Sequence, residues 1–190
     1  MSSSTIVVAT QQDYGEIISC LASSLETLDE YASLDEYRRH LLVDHLEELI
    51  EEHQVYVLKQ GRNVLGFAVI GHSLEDEFFP QTHSYSKSED LLEEIGYRGE
   101  PLLILRYFFV GGFYQNRGHG GELIKSLFAR YKDATWFLYI EEGNRRATKF
   151  FQSHGFFPCG DPKKLEHEDA PKLILAKKYR PSGLCRESIF

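Results

Sequence analysis

The stretch Leu102–Tyr131 reads LLILRYFFVGGFYQNRGHGGELIKSLFARY, and it decides the fold. Leu102–Val110 is a nearly unbroken apolar run, the pattern of a central strand buried on both faces. Seven residues within Gly111–Gly121 then combine turn formers with a positive charge, and five of the eleven are glycine. Leu123, Ile124, Leu127, Phe128 and Tyr131 follow at helical spacing. Strand, glycine loop and helix in that order form an anion cradle. The loop backbone can approach a ligand closely, and the helix N-terminus supplies free N–H groups and the positive end of its dipole. A pyrophosphate is the natural occupant. The loop has no G-x-x-x-x-G-K-[ST] pattern, which excludes a Walker loop. Leu123 stands where a dinucleotide fingerprint needs its third glycine, and no first βαβ unit surrounds it.

Outward from this segment the chain alternates strand and helix signals. Thr5–Ala9 reads as a strand, and Tyr14, Ile17, Ile18, Leu21 and Leu25 mark a helix that Thr10 and Asp13 cap. Ser33 and Glu36 form a second capping box before a helix that runs to about His53. Val55–Leu58 and Val64–Ile70, separated by Gly61 and Asn63, read as a hairpin. Residues 74–100 break the pattern with eight acids and two bases, and they read as an acidic insertion. Within it Ser86 and Glu89 predict the cap of a short helix ending at Gly96. After the central segment come a strand at Thr135–Ile140, a helix capped by Asn144, and strands at Phe156–Cys159 and Leu173–Ala176. The expected class is α/β, a mixed sheet flanked by helices, in one domain over residues 1–190.

The 190 residues carry 42% hydrophobic and 26% charged side chains, which excludes a wholly disordered chain. No apolar run reaches the roughly 18–20 residues of a membrane span, so no membrane partner is expected. Met1–Thr5 lacks the features of a secretory signal. Cys20, Cys159 and Cys185 are widely spaced, which argues against zinc or a disulfide framework and favours a reducing, cytoplasmic setting. The nearest histidine pair, His40 and His45, is five apart and misses one helix face, so no metal is expected. The net charge of −8 divides unevenly. Residues 1–100 hold 20 acids and 6 bases, whereas residues 101–190 hold 9 acids and 15 bases. An acidic chain repels nucleic acid. A divided one points to two partners, one anionic and one cationic.

Gln115-x-x-Gly118-x-Gly120 resembles the [RQ]-x-x-G-x-[GA] motif of GNAT-type N-acetyltransferases, which bind acetyl-coenzyme A. Asn144-x-x-Ala147-x-x-Phe150-Phe151-x-x-x-Gly155-Phe156 is similar to the family's N-x-x-A-x-x-F-Y-x-x-x-G-F segment. The motif resemblance covers about residues 101–160, and the element order extends it over most of the chain. It implies the GNAT fold, with a central mixed, splayed sheet whose parting strands admit the thioester. It also implies roles. Backbone groups of Phe108, Phe109 and Val110 would pair with the pantetheine arm, and an N–H near Val110 would face the oxyanion. Gln115 and the amides from Asn116 through Arg117, Gly118, His119 and Gly120 to Gly121 would hold the pyrophosphate, with Arg117 adding charge. Asn144 would touch the cofactor arm or simply cap its helix.

Two positions depart from the family pattern. Phe151 stands where the family often has the tyrosine that protonates the leaving thiolate, and phenylalanine has no proton to give. Ile104 and Tyr139 stand where relatives often carry a glutamate base. Tyr139 is then the candidate for proton handling, with Glu141, Glu142 and His154 near it in sequence. The resemblance implies acetyl transfer to a primary amine by a monomer or homodimer, and the charge division points to a cationic acceptor: a polyamine, an aminoglycoside-like amine or a basic peptide. Acyl-CoA binding without turnover is the alternative.

Overall fold

The computed structural model describes residues 4–25, 36–72, 85–141, 143–159 and 172–178. Among these, seven strands form one mixed sheet. They are β1 (Thr5–Val8), β2 (Val55–Gln60), β3 (Asn63–Gly71), β4 (Leu102–Val110), β5 (Thr135–Glu141), β6 (Phe157–Pro158) and β7 (Lys172–Lys177). Their order is β1-β2-β3-β4-β5-β7-β6. Neighbours run antiparallel except β4 and β5, the one parallel pair. The helices are α1 (Tyr14–Leu25), α2 (Glu36–Glu51), α3 (Tyr85–Glu94), α4 (His119–Arg130) and α5 (Arg145–Ser153).

Strand alternation sends neighbouring side chains to opposite faces, and each face gains its own cover. On one face Leu123, Ile124 and Leu127 of α4, with Phe151 of α5, pack on Leu105, Trp136, Leu138 and Leu175. All three α4 residues are fully buried, and each such side chain stabilises the fold by roughly 1.5–3 kcal/mol. On the other face Ile17 and Leu21 of α1, with Leu46 and Ile50 of α2, pack on Val57, Phe67 and Val69.

The described part of the 74–100 segment is not peripheral. Leu91 and Ile95, from α3 and its end, are buried against Ile104, Phe137, Ile174 and Ala176. That helix begins at Tyr85, so Ser86 lies inside its first turn and is not its cap. It therefore enters the element order between β3 and β4. The break in pattern came from exposed acids, which mask the two apolar anchors. Ser33 lies outside the described residues. The second helix stops at Glu51, and His53 turns left-handed with φ 61°.

β4 carries a bulge that positions everything downstream. Val69 pairs with Tyr107 but Ile70 pairs with Leu105, so Arg106 is an extra residue on β4. A bulge bends its strand and raises its twist. The pairing of β4 with β5 ends at Ile104, two residues before it.

At the other end of the sheet, Asp13 ties the first strand turn to β2. Its carboxylate accepts from the Thr10 N–H at 3.0 Å, the Thr10 hydroxyl at 3.1 Å and the Lys59 ammonium. Burial pushes the Asp13 pKa up, but the bonds from Lys59 and Thr10 outweigh it and hold the carboxyl below its usual range. Asp13→Asn should cost about 1–3 kcal/mol at neutral pH, read by urea unfolding. A carboxyl depressed on folding contributes stability above its unfolded pKa of ~3.9 and loses it as pH falls through the folded value. The difference between wild type and variant should therefore close in acid, below pH ~4. A difference that stays constant into acid would overturn this role.

Candidate active site

β4 and β5 pair only at Leu102–Thr135, Leu103–Trp136 and Ile104–Phe137. Past that point β4 stays on β3 up to Val110, while β5 stays on β7 up to Glu141. A gap opens between them, lined on one side by the unpaired edge of β4. The Gly111 N–H donates to the Leu65 carbonyl of β3 at 3.0 Å. Peptide groups alternate direction along a strand, so Phe109 also turns its backbone groups to β3, whereas Phe108 and Val110 turn theirs into the gap. Of the three strand residues expected to meet the pantetheine arm, two thus present backbone groups there. The Val110 carbonyl already accepts from the Gln115 side-chain amide at 3.2 Å, which leaves its N–H facing the gap.

Val110 leads into a held turn. The Gly112 N–H donates to Ser23 Oγ of α1 at 3.1 Å, and the Tyr114 N–H donates to the Gly111 carbonyl at 2.8 Å. Cys20 packs beside Gly111, and burial pushes its thiol up to about 12. The thiolate is negligible at neutral pH, so Cys20 serves packing and not nucleophilic attack. The loop then reverses through two left-handed residues, Asn116 at φ 58° and Gly118 at φ 87°. The first α-helical bond runs from the Glu122 N–H to the Gly118 carbonyl. The N–H groups of His119, Gly120 and Gly121 precede the first α-helical bond, and with the dipole of α4 they give the helix start the character of an anion cradle.

A Cβ at Gly120 would lie 3.4 Å from the Phe150 ring and 3.5 Å from a Val110 methyl. At Gly121 it would lie 3.5 Å from His154 Nε2. Both glycines face the α4–α5 contact, where an added Cβ would meet its neighbours at ordinary van der Waals distance.

The remaining sequence-derived residues separate by face. Arg117 is exposed at the loop tip. His119 Nδ1 lies 3.5 Å from Glu122 Oε2, and its ring meets the Tyr114 ring edge-on at 6.3 Å. Glu122 also accepts from the Ser4 hydroxyl. Asn144 Oδ1 accepts from the Ala147 N–H at 3.0 Å, which caps α5. Phe151 is 7% exposed, and its ring centroid lies 5.0–5.6 Å from those of Phe108, Phe150 and Phe156. Tyr139 pairs with Ile174 and sits on the opposite face of the sheet, against the cluster beneath α3. His154 stacks on Phe150 at 4.5 Å, with Nδ1 2.8 Å from the Phe150 carbonyl, at the α4–α5 contact. Glu141 ends β5 opposite Lys172, and Glu142 lies outside the described residues. Among the described residues no three His, Cys, Asp or Glu side chains group as a metal site.

The sequence reading passed over Arg146. Its Nη2 donates to Gln115 Oε1 at 3.2 Å and to Asn116 Oδ1 at 3.4 Å, which joins α5 to the loop. A signal was present in the chain. Arg145 and Arg146 occupy the first turn of a helix, where the dipole disfavours positive charge.

Comparisons with known proteins agree with this geometry. The model of the "Acetyltransferase (GNAT) family" matches residues 18–156. A protein of Pyrococcus horikoshii OT3 superposes with TM-score 0.64 at 19% identity, over 94% of this chain and 99% of that one. A GNAT-family acetyltransferase of Bacillus cereus gives TM-score 0.63 at 16% identity, again over 94% and 99%. The PaiA N-acetyltransferase of Thermoplasma acidophilum, solved in complex with coenzyme A, gives 0.62 at 16% identity over 93% of this chain and 99% of that one. No curated protein matches the chain by sequence. With the family model spanning most of its length and the parted strands and glycine loop in place, the chain belongs to the acetyltransferase (GNAT) family.

Proposed function

We propose that this protein transfers the acetyl group of acetyl-coenzyme A to a primary amine. One observation carries the reading: the unpaired edge of β4 leads, through Val110, directly into the loop whose N–H groups open at the start of α4. A strand edge suits the amides of a pantetheine arm, and the helix start suits a pyrophosphate. The coenzyme A held by the Thermoplasma relative supports the same assignment.

Acetyl-coenzyme A supplies the acetyl group as an activated thioester. The Val110 N–H supports the negative charge that develops on the carbonyl oxygen. The gap holds the carbonyl carbon where a neutral amine nitrogen can reach it. Attack by that nitrogen forms the C–N bond as the C–S bond breaks, and the amine proton ends on the departing sulfur. A thiol with a reference pKa near ~8.5 is a tolerable leaving group, so Phe151 without a proton does not forbid the step. Tyr139, across the sheet from Phe151, is the group proposed to handle the proton. The replacement of the usual acid and base residues by Phe151 and Tyr139 favours the second reading, acyl-CoA binding without turnover. Among the described residues, Cys20 and Cys159 are buried thiols, which fits the reducing, cytoplasmic setting proposed.

The proposed acceptor is a cationic amine. Glu47, Glu48 and Glu51 are exposed on α2, and Glu52 is exposed just past its end. α1 lies between α2 and the turn that follows β4, so these acids act on approach and not by contact. Glu75, Asp76 and Glu77 lie outside the described residues.

Acetyl-CoA consumption across a panel of amines, with mass spectrometry of products, tests turnover. The best acceptor should be a polycation whose kcat/KM falls as salt shortens the Debye length below ~8 Å. A neutral or acidic best acceptor with salt-independent kinetics would remove the steering claim. No turnover with intact acetyl-CoA binding would favour the second reading. Arg117→Glu, at an exposed position, should weaken acetyl-CoA binding in calorimetry by about tenfold or more while leaving the melting temperature unchanged. Unchanged affinity would remove the loop from the site. Phe151→Tyr should lower stability by about 1–3 kcal/mol, because its hydroxyl enters a packed aromatic cluster. A rise in turnover at unchanged melting temperature would instead place that ring edge at the thiol.

A further inference from the structure

We infer that Arg146 is a positioning residue: from the first turn of α5 it fixes the orientation of the Gln115 amide, and through it the shape of the cofactor site at the end of β4. The inference rests on the acetyl-coenzyme A site proposed above. Three contacts form a continuous path. Arg146 Nη2 donates to Gln115 Oε1 at 3.2 Å, and Gln115 Nε2 donates to the Val110 carbonyl at 3.2 Å. The same Nη2 also donates to Asn116 Oδ1 at 3.4 Å.

The chemistry of the partners makes the path directional. A guanidinium has five donors and no acceptor, and a carbonyl oxygen only accepts. A carboxamide has one end of each kind. Between Arg146 and Val110 the Gln115 amide therefore has one satisfied orientation, oxygen to the arginine and nitrogen to the strand. The reverse orientation would set donor against donor and acceptor against acceptor.

Two consequences reach the site. The Val110 carbonyl, which faces the gap, accepts a bond from Gln115, and this holds the residue's peptide groups in place with the N–H turned to where an acetyl oxygen would lie. Asn116 is held at φ 58°, a conformation that asparagine tolerates at a cost, and this is the residue that turns the chain into the amide cradle. Arg146 thus spans the two sides of the opening, with α5 on one side and β4 on the other. Two arginines in the first turn of α5 oppose the helix dipole. The contacts of Arg146 with Gln115 and Asn116 account for one of them.

A direct phosphate ligand is the rival role for such a residue, and the two roles differ in what they predict. Calorimetry and steady-state kinetics are run on the full chain with acetyl-CoA and with its 3′-dephospho analogue. Positioning predicts that Arg146→Gln weakens both by the same factor, about tenfold, and lowers kcat as well as raising KM. Arg146→Lys, which can still donate to Gln115 Oε1, should recover part of both losses. Gln115→Glu removes the donor to Val110 and sets a carboxylate against that carbonyl while strengthening the pairing with Arg146. It should lower kcat/KM and leave the melting temperature unchanged or raised.

Loss of the preference between the two cofactors in Arg146→Gln would make Arg146 a ligand of the 3′-phosphate, and a raised KM with wild-type kcat would make it a ligand of the pyrophosphate; either would overturn the inference. So would wild-type kcat/KM in Gln115→Glu, or wild-type affinity and kcat in Arg146→Gln. Arg146 is exposed, so these variants are expected to fold, and the melting temperature checks that. A wild type that fails to bind acetyl-CoA would instead refute the site itself, which separates the two failures.

Discussion

Everything distinctive in this protein follows from the point at which two parallel strands stop pairing. β4 and β5 share three residue pairs and then part. β4 is held to β3 and β5 to β7, so each strand remains in the sheet while the space between them opens. The bulge at Arg106 lies just past the last shared pair and bends β4 within its own ladder. An unpaired backbone edge in a protein interior is costly unless something meets it. Here its last carbonyl is met by the Gln115 side chain, and the rest of the edge is the surface proposed to meet the pantetheine arm.

The anion cradle is a consequence of the same opening. The chain leaves β4 at Val110, is fastened to α1 through Gly112 and Ser23, and reverses through Asn116 and Gly118 into α4. That path brings the start of α4 to the end of the gap. The fully buried residues Leu123, Ile124 and Leu127 pin the helix to the sheet, so the N–H groups at its start are held in place before a ligand arrives. Preorganisation of this kind lowers the ordering cost of binding. The aromatic layer of Phe108, Phe150, Phe151 and Phe156 closes the underside, beside the start of α4 at Gly120.

The charge of the molecule divides along the same line. Arg117 in the loop and Arg146, which bonds to Gln115 and Asn116, lie beside the proposed polyanion. The acids of α2 lie beyond α1. Under the proposed function, the polyanionic cofactor and the cationic acceptor would each approach the gap by its own route.

The sequence by itself determined the strand, glycine loop and helix of residues 102–131, because apolar runs, glycine spacing and helical periodicity are local signals. It also determined the mixed α/β class and the family motifs, since these lie within single segments. Tertiary structure alone decided the rest. Leu91 and Ile95 became core because Ile104 and Phe137, which are distant in sequence, offered them an apolar face; their acidic neighbours hid this in the chain. Phe151 and Tyr139 were drawn together by motif position, but strand alternation and helix placement set them on opposite faces of the sheet. Arg146 reaches Gln115 and Asn116 from thirty residues away, and no spacing rule encodes a contact between two elements that meet only when both pack on the same sheet. Local patterns record what a segment prefers, whereas the site is made of groups that packing brings together.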